Sequence, residues 1–391
     1  MSKFATILHL PSWFPTPKEP ALGNFIMRHI EAAATYSHAI VLTVDFLENR
    51  SKEFEIKCVD TGIYQHVTVF IKEEKRKSCS VNLCRKWHIF QAYQVGFRYI
   101  RQHIAVPDLI HLHVALPAGK VALWWHFRYK LPYILTEHWS VYNPTNFARC
   151  SFIKRKWLSW IGSLAAQILP VSESLLLNMR QCGIKTEATI VPNVVDTSFF
   201  CPDETVKTPH VAALQILHVS TLNEEAKNVW GILHVIEKLY VQRQDFVLQI
   251  VHDYPRPDLE RYVKEHHLSS VVLFNGRKTA SELLEYYRKA SFVLLFSNYE
   301  NQPCIMLEAF AVGKPVLATC VGAIPEMVSI ERGRLVAPND EAALLEQLNN
   351  LLDKASEYDS SAIRQYVMHR FTPQAVGQEL AEVYKKILRH G

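Results

Sequence analysis

A chain of 391 residues with 49% hydrophobic content is long enough for two or three domains and apolar enough to give each a core. Its net charge of +5 is too small to argue for nucleic acid, and no helix-turn-helix or aromatic RNA-binding signature accompanies it. No run reaches the ~18 to 20 consecutive apolar residues of a membrane span, and residues 1–10 lack the long apolar core of a signal peptide. The sequence therefore reads as cytoplasmic. Its eight cysteines contain no C-x-x-C pair, which favours reduced thiols over bridges.

In chain order, residues 4–10 read as an apolar strand, and a loop with four prolines leads through Gly23 to a helix at 24–34. Strands are expected at 39–45 and 67–71, and a long helix at 83–103. Residues 72–86 are rich in Lys and Arg, and a second basic cluster at 149–156 runs into Trp157 and Trp160. Basic residues interleaved with large aromatics can bind an anionic membrane surface, each nearby charge contributing roughly 1 kcal/mol. Either cluster alone reads better as a solvated helix face; it is the presence of two in the same half that brings membrane contact level with that reading. The strand at 109–113 places His111 and His113 on one face; they could begin a metal site, but no Cys or carboxylate follows at a ligand spacing. Residues 133–136 form a strand ending in Glu137, His138 and Trp139. A histidine at the carboxyl end of a buried strand is well placed to touch a ligand, although a core histidine bonded to a loop carbonyl fits the same pattern. Strands at 168–171 and 189–191 then alternate with helices at 154–167 and 173–182, the latter capped by Ser172. A polar stretch to His210 reads as a linker.

The second half repeats the strand-helix rhythm. A strand at 215–219 and a loop ending in Lys227 precede a helix at 228–240. Strands at 246–251 and 271–274 alternate with helices at 259–266 and 281–290, and helices at 340–353, around Ile363 and at 375–388 close the chain. Between them lies the most informative stretch. An apolar strand at 292–296 ends in a loop carrying Glu300, Pro303 opens a helix carrying Glu308, Gly313 closes that helix, and a strand resumes at 315–319. Two carboxylates eight residues apart could grip two hydroxyl-bearing groups joined by a short bridge, as in a nucleotide sugar. The N–H groups of Cys304 and Ile305 at the helix start would face the diphosphate. On spacing alone, two capping carboxylates are an equally open reading.

The residues Glu300, Glu308, Ala309, Gly313, Pro315, Thr319, Val321, Gly322, Ile324, Pro325 and Glu326 resemble the E-x7-E stretch of the retaining family 4 glycosyltransferases. Ser12, Trp13, Phe14, Pro15, Gly23, Phe25 and Ile26 resemble the first loop of that family, and Thr136 to Trp139 its T-E-H-W segment. The resemblance departs at Ala323 and Asn301, where glycine is common, and at Thr221, where arginine is common. It implies the GT-B architecture: two Rossmann-like doubly wound α/β domains facing across a cleft. The expected divisions are an acceptor-side domain at 1–205, a nucleotide-sugar-binding domain at 206–371, and a C-terminal helix at 372–391 returning to the first domain.

By the same resemblance, Gly23 lets backbone approach the donor phosphates, Lys227 grips the diphosphate, Glu300 holds hydroxyls of the transferred sugar, and Glu308 holds the ribose. His138 lies by the donor sugar, and His113 close to the cleft. The implied reaction is retaining transfer from a UDP- or GDP-linked sugar to a glycan or lipid-linked acceptor, in cell-surface polysaccharide synthesis, with peripheral contact to an anionic membrane at the inner face of the plasma membrane. No two aspartates lie two residues apart, so the Asp-x-Asp motif that holds Mg²⁺ or Mn²⁺ in many glycosyltransferases is missing and metal-independent chemistry with no cofactor is expected. Two rival readings are an epimerase or hydrolase of nucleotide sugars on the same fold, and a degenerate nucleotide-sugar-binding protein.

Overall fold

The computed structural model describes residues 4–16, 19–47, 53–72, 79–203 and 213–390, so residues 73–78 of the basic cluster at 72–86 lie outside the described residues. The first half runs β1 (Thr6–Pro11), α1 (Asn24–Ala34), β2 (His38–Leu47), β3 (Phe54–Asp60), β4 (Gln65–Lys72), α2 (Cys79–His103), β5 (Leu109–His113), α3 (Gly119–Tyr129), β6 (Tyr133–Glu137), α4 (Pro144–Ala148), α5 (Phe152–Leu164), β7 (Gln167–Pro170) and α6 (Glu173–Gln181). The second half runs β8 (Leu214–Ser220), α7 (Glu224–Lys227), α8 (Val229–Gln242), β9 (Phe246–His252), α9 (Pro257–Glu265), β10 (Val272–Phe274), α10 (Ala280–Lys289), β11 (Phe292–Leu295), α11 (Cys304–Ala311), β12 (Val316–Thr319), α12 (Ile324–Met327), β13 (Gly333–Val336), α13 (Glu341–Lys354), α14 (Ser360–Arg370) and α15 (Pro373–His390).

Two compact units result. One comprises Met1–Val194 with Pro373–Gly391, the other Val195–Thr372. The expected domain boundary at 205 falls too late, because the stretch after Val194 packs into the second unit. Val195 donates to the Phe371 carbonyl, Phe200 is buried against Tyr287, and Arg364 donates to the carbonyls of Thr197 and Phe200.

In the first unit seven strands are ordered β3-β4-β2-β1-β5-β6-β7, parallel except for the antiparallel edge strand β3. Residues along each strand alternate between two cores, because successive side chains point to opposite faces. Leu8, Leu10, Ile110 and Leu112 join the core beneath α2, α3, α5 and α6. Ile7 and Leu109 join the opposite core, against α15 residues Val376, Leu380, Val383 and Tyr384, whose spacing makes one helix stripe. The second unit is a six-stranded, wholly parallel sheet ordered β10-β9-β8-β11-β12-β13. Its strands read as continuous apolar runs, as sheets covered on both faces require.

The expected strand at 189–191 does not form: pairing beside β7 stops at a single bridge between Ile168 and Ala188. Thr189 and Val191 still donate to the carbonyls of Ile168 and Pro170, but Pro170 of β7, lacking an N–H, returns no bond to complete a ladder. Conversely, the sequence pattern did not reveal β3, α3 or β13. The edge strand β3 is half polar, α3 is apolar nearly all round its middle (VALWW), and β13 is four residues opened by glycine.

Candidate functional site

Strand order reverses between β8 and β11 in the second unit, and ligands of open α/β sheets bind at such a switch point, beyond the strands' carboxyl ends. The loop after β8 leads into α7 and ends on Lys227; the loop after β11 carries Glu300. These two side chains form an ion pair, both largely buried, with Glu300 10% exposed and Lys227 19%. Ser297 donates to the same carboxylate at 2.8 Å, and the Ser297 carbonyl accepts from Thr319 at 2.6 Å. Asn298 ties the two loops together through the carbonyls of Ala226 and Glu225.

Behind Glu300 lies the turn Val321 to Glu326. Gly322 has φ +54°, and a Cβ there would sit 1.8 Å from the Glu300 carbonyl oxygen. A side chain at 322 would therefore displace the Glu300 loop. Ala323 donates to the Asn301 carbonyl at 2.9 Å and has an ordinary φ of −85°, so a second glycine is not needed there. Asn301 is likewise outside the left-handed region, and its place owes nothing to glycine-like geometry.

Thr221 is exposed at the end of β8. The adjacent cation comes instead from Arg256, whose guanidinium donates to the Leu222 carbonyl at 2.7 Å and takes the Asp258 carboxylate with two nitrogens. That fork holds the loop, with Leu222 at φ +55°. Cys304 and Ile305 begin α11, whose N-cap residue Pro303 supplies no side-chain acceptor. Glu308 sits one further turn along α11, 5% exposed, and accepts from the buried Tyr287 hydroxyl at 2.9 Å.

In the first unit the switch point lies between β1 and β5. Val114, directly after β5, has φ +65°, a strained conformation for a β-branched residue. Four contacts hold this corner: Val114 N–H to the Thr136 carbonyl, Ser12 Oγ to the Val114 carbonyl at 2.8 Å, Ala118 N–H to Ser12 Oγ at 3.1 Å, and Ala115 N–H to Glu137 Oε2 at 3.0 Å. Glu137 also accepts from the N–H groups of His138 and Trp139 at 2.9 Å. Complete burial pushes its carboxyl up to about 7, against those three donors. His138 Nδ1 meets Asn193 Oδ1 at 2.9 Å. An amide oxygen only accepts, so Nδ1 carries the proton and Nε2 the lone pair. Desolvation holds His138 well below the usual imidazole range. Gly23, at φ +71°, opens α1 where a Cβ would lie 2.5 Å from the Trp13 carbonyl oxygen, which alone accounts for the glycine.

Two family models cover most of both halves. Glycosyltransferase Family 4 matches residues 69–199, and Glycosyl transferases group 1 matches residues 213–354. The chain is a glycosyltransferase of the family 4 type. An uncharacterized glycosyltransferase of Methanocaldococcus jannaschii is 26% identical over 328 residues, 81% of this chain and 86% of that protein. A glycosyltransferase assigned to colanic acid biosynthesis in Escherichia coli (strain K12) is 28% identical over 232 residues, 56% of each chain. Among solved structures, sucrose-phosphate synthase from Thermosynechococcus elongatus superposes with a TM-score of 0.78 at 17% identity, over 99% of this chain and 100% of that one. An Anabaena protein in complex with UDP-glucose gives 0.69 at 16% identity, over 97% and 99%. The fold of this glycosyltransferase is therefore GT-B, two Rossmann-like units in one chain.

The glycosyltransferase also contains a group of buried imidazoles that its sequence only half shows. Strand alternation puts His111 and His113 on one face, and the β1–β5 register places His9 opposite His111. One nitrogen from each of the three lies within 4.8 Å of the others. As a metal cage the group fits poorly. His111 already engages Tyr384 through Nδ1 at 2.7 Å and Thr136 through Nε2 at 2.6 Å. The His111 and His113 rings stack at 4.0 Å and 25°, so their in-plane lone pairs run nearly parallel instead of converging. His9 Nδ1 and His113 Nε2 meet each other at 3.0 Å. His29 completes the group from α1, its ring 5.0 Å from that of His138. Burial and mutual repulsion hold His9 near 3, His29 near 4 and the others well below the usual range, so all five are neutral at pH 7.

Proposed function

We propose that this glycosyltransferase moves a sugar from a UDP- or GDP-linked donor to a glycan or lipid-linked acceptor, with retention and without a metal ion, in the synthesis of a cell-surface polysaccharide. The observation that carries the reading is the Lys227–Glu300 pair at the switch point of the second sheet. Each charge there is a placeholder for the other's ligand. A donor entering the site replaces the pair with two new contacts, Lys227 to the diphosphate and Glu300 to hydroxyls of the sugar, so neither charge is left buried alone. The Cys304 and Ile305 N–H groups add to the phosphate site at the start of α11, and Glu308 takes the ribose. The solved neighbour carrying UDP-glucose supports a nucleotide-sugar donor, and the colanic acid relative supports polysaccharide synthesis.

In the transition state the diphosphate gains charge while the sugar ring becomes positive. Preorganised cations and N–H groups act on the first, and hydroxyl positioning by Glu300 aligns the second. On one face of the sugar, the acceptor's proton passes to the departing phosphate, so Glu300 positions and is no nucleophile. The test is product formation from a panel of UDP- and GDP-sugars, with and without EDTA, with the product anomer read by NMR. One accepted donor, insensitivity to EDTA and a retained anomer support the reading; inversion, or EDTA-sensitive turnover, overturns it. Glu300→Ala lowers kcat on the order of a hundredfold, with a smaller change in KM. Unchanged kcat removes Glu300 from the site.

A further inference from the structure

From residue 75 to residue 172 the chain contains fourteen Lys or Arg and two acids, Asp108 and Glu137. Neither acid is available at the surface of the helices in this segment: Glu137 is fully buried, and Asp108 accepts from the Thr6 backbone at the foot of the sheet. The excess of cations in this segment exceeds the net charge of the whole chain, so the remainder is net acidic. Nine of these cations lie on α2, α3 and α5, which cover the same core.

Large aromatics stand exposed on those same helices. Trp87 on α2 stacks on Phe90, and Phe90 meets Trp124 of α3 edge-on at 5.8 Å. One turn from Trp124, Lys120 lies 4.7 Å over the ring of Trp157 on α5, which in turn contacts Trp160 at 5.9 Å. Ring contacts and one cation-π pair thus join the three helices into a continuous ribbon. Along α5 the outward stripe is Phe152, Lys156, Trp160 and Leu164, at helical spacing, with Phe152 66% and Trp160 59% exposed. Trp124 is 49% exposed. At the ribbon's edge Glu53, just before β3, meets His88 of α2 at 3.5 Å.

We propose that the α2–α3–α5 ribbon is the surface by which the chain docks on an anionic lipid bilayer. Charge complementarity selects the partner: cations at the rim pair with lipid headgroups, while tryptophans flanked by lysine seat at the interface, apolar body inward and N–H toward water. A solvated helix face would intersperse both signs of charge and would not leave seven large apolar side chains exposed on α3 and α5. The docking stands on this surface alone. Its consequence, delivery of a membrane-borne acceptor, rests on the transferase reading above.

The experiment is flotation of the full chain with vesicles of phosphatidylcholine, with and without phosphatidylglycerol. Wild type floats with the anionic vesicles alone, less so in high salt. Lys120→Glu/Arg128→Glu/Lys156→Glu weakens binding on the order of a hundredfold, and Trp124→Ala/Trp160→Ala removes quenching of tryptophan fluorescence by brominated lipid. The control Lys264→Glu/Lys289→Glu, on the second unit, floats as wild type. Unfolding temperature and turnover of a water-soluble acceptor are measured for every variant, so that loss of docking and loss of transfer are read separately. Equal flotation with neutral vesicles, wild-type binding by the charge variant, or no flotation of folded wild type overturns the proposal.

Discussion

The two units solve the problem of burying polar groups at a switch point in opposite ways. In the first, five histidines are stripped of charge, and four of them are matched: His9 to His113, His111 to Tyr384 and Thr136, and His138 to Asn193. In the second, Lys227 and Glu300 keep full charge and neutralise each other. Neutral imidazoles need only a hydrogen-bond partner to stay buried, whereas a buried ion must be paired. The first arrangement is therefore a core that tolerates no proton, and the second a charged pair that, under the proposed function, exchanges partners with a ligand.

Acid breaks the comparison most strongly. A histidine whose folded pKa lies below its unfolded value contributes stability that is present above 6.5 and lost as pH falls, by roughly 1 kcal/mol for each pH unit and each group. The first unit has six such groups, the five above and His66 of β4, itself held near 4 chiefly by burial, and the second has buried His218, held near 4 by burial. Between pH 7 and pH 5 the first unit should lose several kcal/mol more than the second. Glu137 runs the other way: its folded pKa is raised to about 7, so its contribution is present below 4.5 and declines as pH rises through 7. Amide hydrogen exchange at the two pH values, read strand by strand, checks this. Equal acid sensitivity in both sheets would sink the contrast.

Removing the support of the charged pair comes next. Gly322→Ala brings a Cβ against the Glu300 carbonyl at a left-handed φ, and the expected cost is about 2–4 kcal/mol in urea unfolding, with donor turnover falling further than stability requires. Gly62→Ala is a fair comparison, since it has a left-handed φ but nothing within 4 Å of the added Cβ; it should cost about 1 kcal/mol.

The smallest effect sharpens the distinction between buried and exposed carboxylates. Tyr287→Phe takes a donor from the buried Glu308 and should cost about 1–2 kcal/mol. Tyr262→Phe removes the comparable bond to the solvent-facing Glu237 and should change stability by less than about 0.5 kcal/mol. Denaturant titrations of the two variants should differ accordingly; equal losses would mean that burial does not set the cost.

Much of this was legible in order along the chain. Apolar strand runs and helix stripes have short periods, so β1, β5, β6, β8, β9, β11 and β12 could be placed from sequence, and the resemblance carried by Glu300, Glu308 and Gly322 pointed to the loops at the second unit's switch point. The signal failed where period was weak, at β3, α3 and β13, and at residues 195–203, where a polar-looking segment packs through Val195 and Phe200. Strand register and helix packing are long-range, and no local pattern encodes them. They alone brought His9 to His113, Asn193 to His138, Tyr287 to Glu308 and Lys227 to Glu300, because each pair joins positions far apart in the chain that meet only when parallel strands align.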